Sequence, residues 1–250
     1  MRKKLKNLSI DSGTNAAGGL LGFVIGGPVG AVVGGAIVPI AKDILSRALS
    51  VYETKRIASV IEDAQKKIKK LIDTGSPTRK DLNSQKMKEL IEGTLLKASR
   101  TYQSKKLPLI ANLLAIAPFT NTPIENLNQT LVLAEQLSYQ QLCILSIIGH
   151  NSFGAEKFKL SDKEWQSERK IKGDERHMGV YEDINYLTRN NLVFQVSSEG
   201  EKYVGIASFG ITNIIPRNLI LDYFGRLLFN GLRLAQIKPE DFKEIIEILK

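Results

Sequence analysis

Residues 12–41 carry no charge, and inside that run glycine returns at every fourth position, at Gly18, Gly22, Gly26, Gly30 and Gly34. A second row holds Gly19, Gly27 and Gly35. Four residues make close to one turn of an α-helix, so a row of this kind lies along one side of a helix. In water each helical glycine costs about 1 kcal/mol against alanine. A bilayer reverses the balance, because the backbone there must satisfy its own hydrogen bonds. Small residues one turn apart then form a flat groove that a second helix can approach closely. The length also fits. Ala16–Ala41 is 26 uncharged residues, and a bilayer core needs about 20. The stretch predicts a glycine-zipper membrane segment in which Gly18, Gly22, Gly26, Gly30 and Gly34 pack between protomers of a homo-oligomeric pore or channel.

Two prolines qualify the geometry. Pro28 and Pro39 each interrupt a helical ladder or open a new one, so one kinked span and a short hairpin folded at "GGPVG" both stay open. A cleaved signal peptide has an apolar core of only about 7–15 residues, half the length of this run. Glycine contributes no side chain, so the segment is only mildly hydrophobic. Insertion on a trigger is therefore as compatible with it as permanent insertion.

Charge surrounds the segment. Arg2, Lys3, Lys4 and Lys6 precede it, and Lys42 and Arg47 follow it. Cations on both flanks suit the headgroup region of an anionic membrane. The wider distribution agrees: residues 1–106 hold 20 Lys/Arg against 9 Asp/Glu, and residues 107–250 hold 15 against 17. Any polyanionic partner is expected at the N-terminal part.

Beyond residue 41 the pattern is helical. Residues 42–73 read as one long amphipathic helix with an apolar stripe at Ile57, Ile61, Ala64, Ile68 and Leu71. Lys66, Lys67, Lys69 and Lys70 lie near its end, and "TGSP" stops it. Residues 79–101 form a further helix, and the apolar run 105–119 is too short to cross a membrane. Thr122-Pro123-Ile124-Glu125 and Ser138-Tyr139-Gln140-Gln141 are capping boxes that open two more helices, with Ser161–Glu164 a weaker third. Residues 179–192 are helical. "LVFQVSSEGEKYVGIASF" reads as a β-hairpin about a Ser-Glu-Gly turn, "NLILDYFGRLLFNGL" as a helix, and "KPEDFKEIIEILK" as a terminal helix. That order gives a winged-helix-like module at about 125–235.

Chemistry for catalysis is missing from the pattern. His150 and His177 show no metal-ligand spacing. Cys143 lies in the apolar run "QLCILSIIG", the setting of a buried structural thiol. No Gly-Lys-Ser/Thr follows the glycines, so they are not a phosphate loop. No acid–base pair emerges. The expectation is a protein that is not an enzyme and uses neither cofactor nor metal. The candidate recognition helix sets Glu182 and Asp183 against Arg189, a charge balance that argues against sequence-specific DNA.

The stretches "GGLLGFVIGGPVGAVVGGAI", "SKKLPLIANLLAIAP", "LSYQQLCILSIIG" and "INYLTRNNLV" together resemble bacterial abortive-infection and anti-phage membrane effectors. In that group a glycine-rich apolar N-terminal segment precedes a helical, winged-helix-like remainder. The resemblance covers under a third of the chain. It implies an effector that damages or depolarises the host membrane when infection is sensed.

The reading is a mainly α-helical protein of three parts. Residues 1–41 are a basic head and membrane-inserting segment, 42–121 an amphipathic helical stalk, and 122–250 a regulatory, winged-helix-like domain with one β-hairpin. It acts as an oligomeric pore in the bacterial inner membrane, with most of the chain cytoplasmic. Its expected partners are membrane lipid, further copies of itself, and a nucleotide, oligonucleotide or protein signal. The alternative is a soluble regulator that binds nucleic acid or a nucleotide signal through the winged-helix-like module.

Overall fold

The structure, a computed structural model, describes residues 27–153, 158–163, 175–196 and 214–250. Among the described residues the chain is mainly helical with one small antiparallel strand pair, and it divides into two units, 1–135 and 136–250. The sequence boundaries were expected at 41/42 and 121/122.

In the first unit, α1 spans Gly27–Ser46, α2 Val51–Asp73, α3 Gln85–Arg100 and α4 Leu107–Ile116, and α5 (Ile124–Gln136) ends at the division. α4 lies against α2 and α3, and α1 packs mainly on α3 and less on α2. The mean composition of α4 explains its place. Every residue from Leu107 to Ala115 except Pro108 is buried, so it has no polar face to offer water. The stripe expected on α2 is buried at Ile57, Ile61, Ala64 and Ile68, joined by Val60.

Two helix boundaries differ from the sequence reading. The long helix over 42–73 is two helices, α1 and α2, separated at residues 47–50. Ser50 is the reason. Its hydroxyl accepts from the Glu53 amide, and the Glu53 carboxylate accepts from the Ser50 amide at 2.8 Å, a complete capping box. The helix expected from residue 79 begins at Gln85, after Ser84 accepts from the Met87 amide. Leu82 is buried nonetheless, from the turn that precedes the helix.

In the second unit, α6 spans Tyr139–Ser152, α7 Glu175–Arg189, α8 Tyr223–Gly231 and α9 Lys243–Leu249. The capping box at Ser138 and Gln141 is present as expected. α6 is the central element, buried without a break from Leu142 to Gly149. Around it pack α7, α8 and strand β2 (Leu219–Leu221). β2 pairs antiparallel with β1 (Val193–Gln195), in the register Val193↔Leu221, Phe194↔Ile220 and Gln195↔Leu219.

This pair corrects the sequence reading. Leu219–Leu221 was expected to be helical, and it is a strand. Asp222 ends it by accepting from the Tyr223 amide at 2.8 Å, which starts α8. The second arm of the expected hairpin, within 197–213, lies outside the described residues.

Candidate functional site

α1 is the described part of the glycine-rich segment. Its twenty residues have a mean hydropathy of 1.6, enough by length and composition to cross a membrane. The core helix of a soluble protein passes the same test. Gly27 stands at φ +85°, in the left-handed region that glycine alone enters without strain. Pro28 follows in the first turn, where its missing N–H breaks no intrahelical bond. Within the described residues Pro28 thus opens a helix.

Pro39 is different, because it sits inside α1. It has no amide hydrogen to give to the carbonyl one turn back, which belongs to Gly35. Gly35 and Pro39 are both exposed, and a Cβ added at Gly35 would meet nothing within 4 Å. Val32, 48% exposed, lies one turn from Gly35 on the same edge. The opposite side is the buried one: Gly30, Val33, Gly34, Ile37, Ala41 and Ile44 recur at spacings of three and four. α1 therefore has a covered glycine edge, with Gly30 and Gly34, and an open edge, with Gly35 and Pro39. Gly18, Gly22 and Gly26 lie outside the described residues, as do Arg2, Lys3, Lys4 and Lys6.

The cations after the segment behave differently from each other. Lys42 is exposed on the helix. Arg47 reaches back to Asp43 at 2.7 Å and across to Glu92 of α3 at 2.8 Å. These contacts raise its pKa, the Glu92 hydrogen bond most and the Asp43 bond next. Arg47 thus joins the end of α1 to α3.

Further along, Lys66 pairs with Glu62 at 2.7 Å, and Lys67 donates to the Pro108 carbonyl at 2.9 Å. The lysine run is in part an intramolecular fastening. Beside the end of α3, Lys97, Arg100, Tyr102 and Lys106 border a cavity of about 180 Å³ together with Glu135. Lys97 pairs with the Glu135 carboxylate, and Lys106 Nζ donates to the Glu135 carbonyl at 3.1 Å. Burial pushes the Lys106 pKa below the usual lysine range. Lys97 stands in the last turn of α3, and Lys106 reaches a carbonyl in the last turn of α5, placements the helix dipole favours.

In the second unit Cys143 and His150, singled out from the sequence, lie among packed side chains. Cys143 is 1% exposed, with Sγ 3.9 Å from the Asp241 carbonyl. Tyr139 donates its hydroxyl to the Asp241 carboxylate at 3.0 Å, and its pKa is pushed far up, by burial first. His150 sits edge-on between Phe158 and Phe229, with ring centroids 5.5 and 5.8 Å away. Among the described residues no three His, Cys, Asp or Glu side chains cluster as metal ligands would. On α7, Asp183 accepts from the side-chain amides of Gln140 at 2.7 Å and Gln141 at 2.8 Å. The candidate recognition helix is in this way fastened to α6 through its acid.

One site was not foreseen. Asn151, Phe158, Lys159, Lys163, Arg217 and Lys250 border a cavity of about 420 Å³ in the second unit. The positions are spread over a hundred residues of chain, and no local spacing joins them. No protein-family model matches the chain, and comparison with curated proteins and with solved structures finds no significant match.

Proposed function

We propose that the protein is a membrane-inserting effector whose glycine-rich N-terminal segment enters the bilayer and self-associates into a pore. The observation that carries this reading is the open edge of α1. An apolar helix places Val32, Gly35 and Pro39 in solvent, where a soluble fold gains nothing from them. In a bilayer the Gly35 carbonyl, which lacks its helical donor, is costly against lipid. It is tolerated where another helix or a water-filled passage faces it. Gly35 also leaves room for close approach. Both features favour contact between copies over a lone span. In this reading the packing of α1 on α2 and α3 is the form in exchange with the inserted one, and the role is that implied by the resemblance to phage-defence effectors of the bacterial inner membrane.

A substitution on the open edge tests the reading without disturbing the packed one. Val32→Lys adds a charge at an exposed position, which the soluble packing accommodates. In the middle of a span the same lysine costs about 2.5–3.5 kcal/mol. Cells expressing the wild-type chain should hold it in the carbonate-resistant membrane fraction, and Val32→Lys should move it to the soluble fraction. A wild-type chain that washes off, or a variant that stays with the membrane, defeats the proposal.

A further inference from the structure

The first unit carries the excess charge of the chain, with 20 Lys/Arg against 11 Asp/Glu over residues 1–135. The second unit holds 15 of each. Within the first unit, one corner sets exposed cations beside exposed aromatic rings. It forms where the first turns of α2 meet the last turn of α3. Arg56 Nη1 donates to the Ser99 carbonyl at 3.1 Å and joins the two helix ends. The Glu53 carboxyl, lowered first by its hydrogen bonds from Ser50, also feels the charges of Arg100 and Arg56, so both guanidinium groups lie near it. Lys97, Arg100 and Tyr102 share the rim of the cavity of about 180 Å³. Tyr52 stands three residues before Lys55 and one turn before Arg56, so the three share one side of α2.

Tyr52 is 74% exposed and Tyr102 82%, the most exposed large apolar side chains among the described residues. Val51, next to Tyr52, is exposed as well. Lys55 and Arg100 are exposed beside them. The acids of the corner are already engaged. Glu53 accepts from the Ser50 amide at 2.8 Å, and Glu135 pairs with Lys97. Residues 97–106 hold no acid at all.

Tyrosine joins an apolar ring to a polar hydroxyl, a combination suited to the border between lipid and water. Lysine and arginine at that border reach lipid phosphates through long apolar stems. Nucleic acid would engage the same cations, and position along the chain favours lipid. Only residues 47–50 separate the end of α1 at Ser46 from Val51. That link spans at most about 18 Å, so α1 in a bilayer keeps the corner beside the headgroups. We propose that this corner is a docking surface for an anionic lipid bilayer, with Tyr52 and Tyr102 at the lipid–water border and Lys55 and Arg100 against the phosphates. The inference rests on α1 as the membrane-entering segment, and the test separates the two.

Flotation of the full chain carrying Val32→Lys reads docking apart from insertion, because that lysine opposes entry of α1 into lipid. The chain should float with vesicles of two parts phosphatidylcholine to one of phosphatidylglycerol. It should stay behind with phosphatidylcholine alone and come off in high salt. Basic residues elsewhere in the chain also attract anionic lipid, so variants of the corner decide. Each cation near an anionic surface contributes about fivefold to binding. Adding Lys55→Gln and Arg100→Gln should therefore weaken binding more than about tenfold. Adding Tyr52→Ser and Tyr102→Ser instead should weaken it while leaving its salt dependence as it was, since the rings carry no charge. Thermal midpoints should stay within a few degrees, because all four side chains are exposed. Binding that survives either pair of substitutions overturns the docking surface. Duplex DNA held as tightly as the anionic vesicles overturns lipid as the occupant. A wild-type chain that resists carbonate while Val32→Lys fails to float removes the docking surface and leaves insertion standing. A Val32→Lys chain that floats through the corner while the wild type washes off in carbonate does the reverse.

Discussion

Arg47 reaches Glu92 at 2.8 Å across 45 residues of sequence, with the same nitrogen that holds Asp43 at 2.7 Å. The contact ties the end of α1 to α3 while leaving Arg47 largely in solvent. Exposed ion pairs contribute little to global stability. Their effect on a local equilibrium is larger in proportion, because α1 is one helix. Glu92→Gln should therefore raise the membrane-bound fraction, and raise it more at low salt, while the thermal midpoint moves by no more than a few degrees. An unchanged fraction at low salt counts against the tie.

The two glycine edges of α1 should respond in opposite ways. Gly30 is buried, and Gly35 has open space around its Cβ position. Gly30→Leu should destabilise the first unit by about 1–3 kcal/mol through overpacking. Gly35→Leu should leave it as stable or gain up to about 1 kcal/mol of helix propensity. Crosslinking in membranes should nonetheless show that Gly35→Leu lowers oligomer yield. Equal denaturation midpoints for the two variants would contradict this assignment of the edges.

A similar contrast is expected in the second unit. A Cβ at Gly149 would collide with the Phe229 ring, and one at Gly225 with the Leu192 carbonyl. Gly149→Ala and Gly225→Ala should each cost about 1–3 kcal/mol. Gly225→Ala should be the worse, because a backbone carbonyl pinned beside β1 gives way less than a ring. Gly179, on α7, has nothing within 4 Å, so Gly179→Ala should stabilise by about 0.4–1 kcal/mol. Urea denaturation of the three variants reads the signs directly.

The capping box at Ser50 predicts an acid limb. Hydrogen bonds from Ser50, first the side chain and then the backbone, hold the Glu53 carboxyl below its usual value of 4.5. Arg79 does the same for Asp81, and Lys86 for Glu125. A carboxyl lowered in the folded state gives stability that is present above the unfolded pKa. That stability is lost as pH falls through the folded one. The first unit should hold its stability down to about pH 4.5 and lose it below. Glu53→Gln keeps a residue able to complete the box and should flatten that acid limb. Ser50→Ala should cost about 1 kcal/mol at pH 7. A pH profile identical for Glu53→Gln and wild type would rule out Glu53 as a contributor.

Element types were largely legible in the sequence, because the signals were local. The stripe of α2, the apolar run of α4 and the box at Ser138 each announce themselves within a few residues. The break at residues 47–50 was equally local, since Ser50 and Glu53 stand three apart. It was hidden because the apolar positions run on through it at helical spacing. The strand at Leu219–Leu221 was not legible, as three apolar residues before a helix show no period of their own. Which edge of α1 is buried could not be read either. Nearly every residue there is small or apolar, so no polar side marks the outside. The cavity at Asn151 depends on bonds such as Ser161 to Leu249, and spacing gives no hint of those.

Pro39 gives α1 a mechanical property. A helix lacking one rung of its ladder bends most easily at that rung, as a beam does at a notch. The turns before Pro39 can tilt away while the last turns stay clamped by Arg47. Bending at the notch and release of the clamp are then separate events, and the segment can sample a new direction before it lets go of the old one.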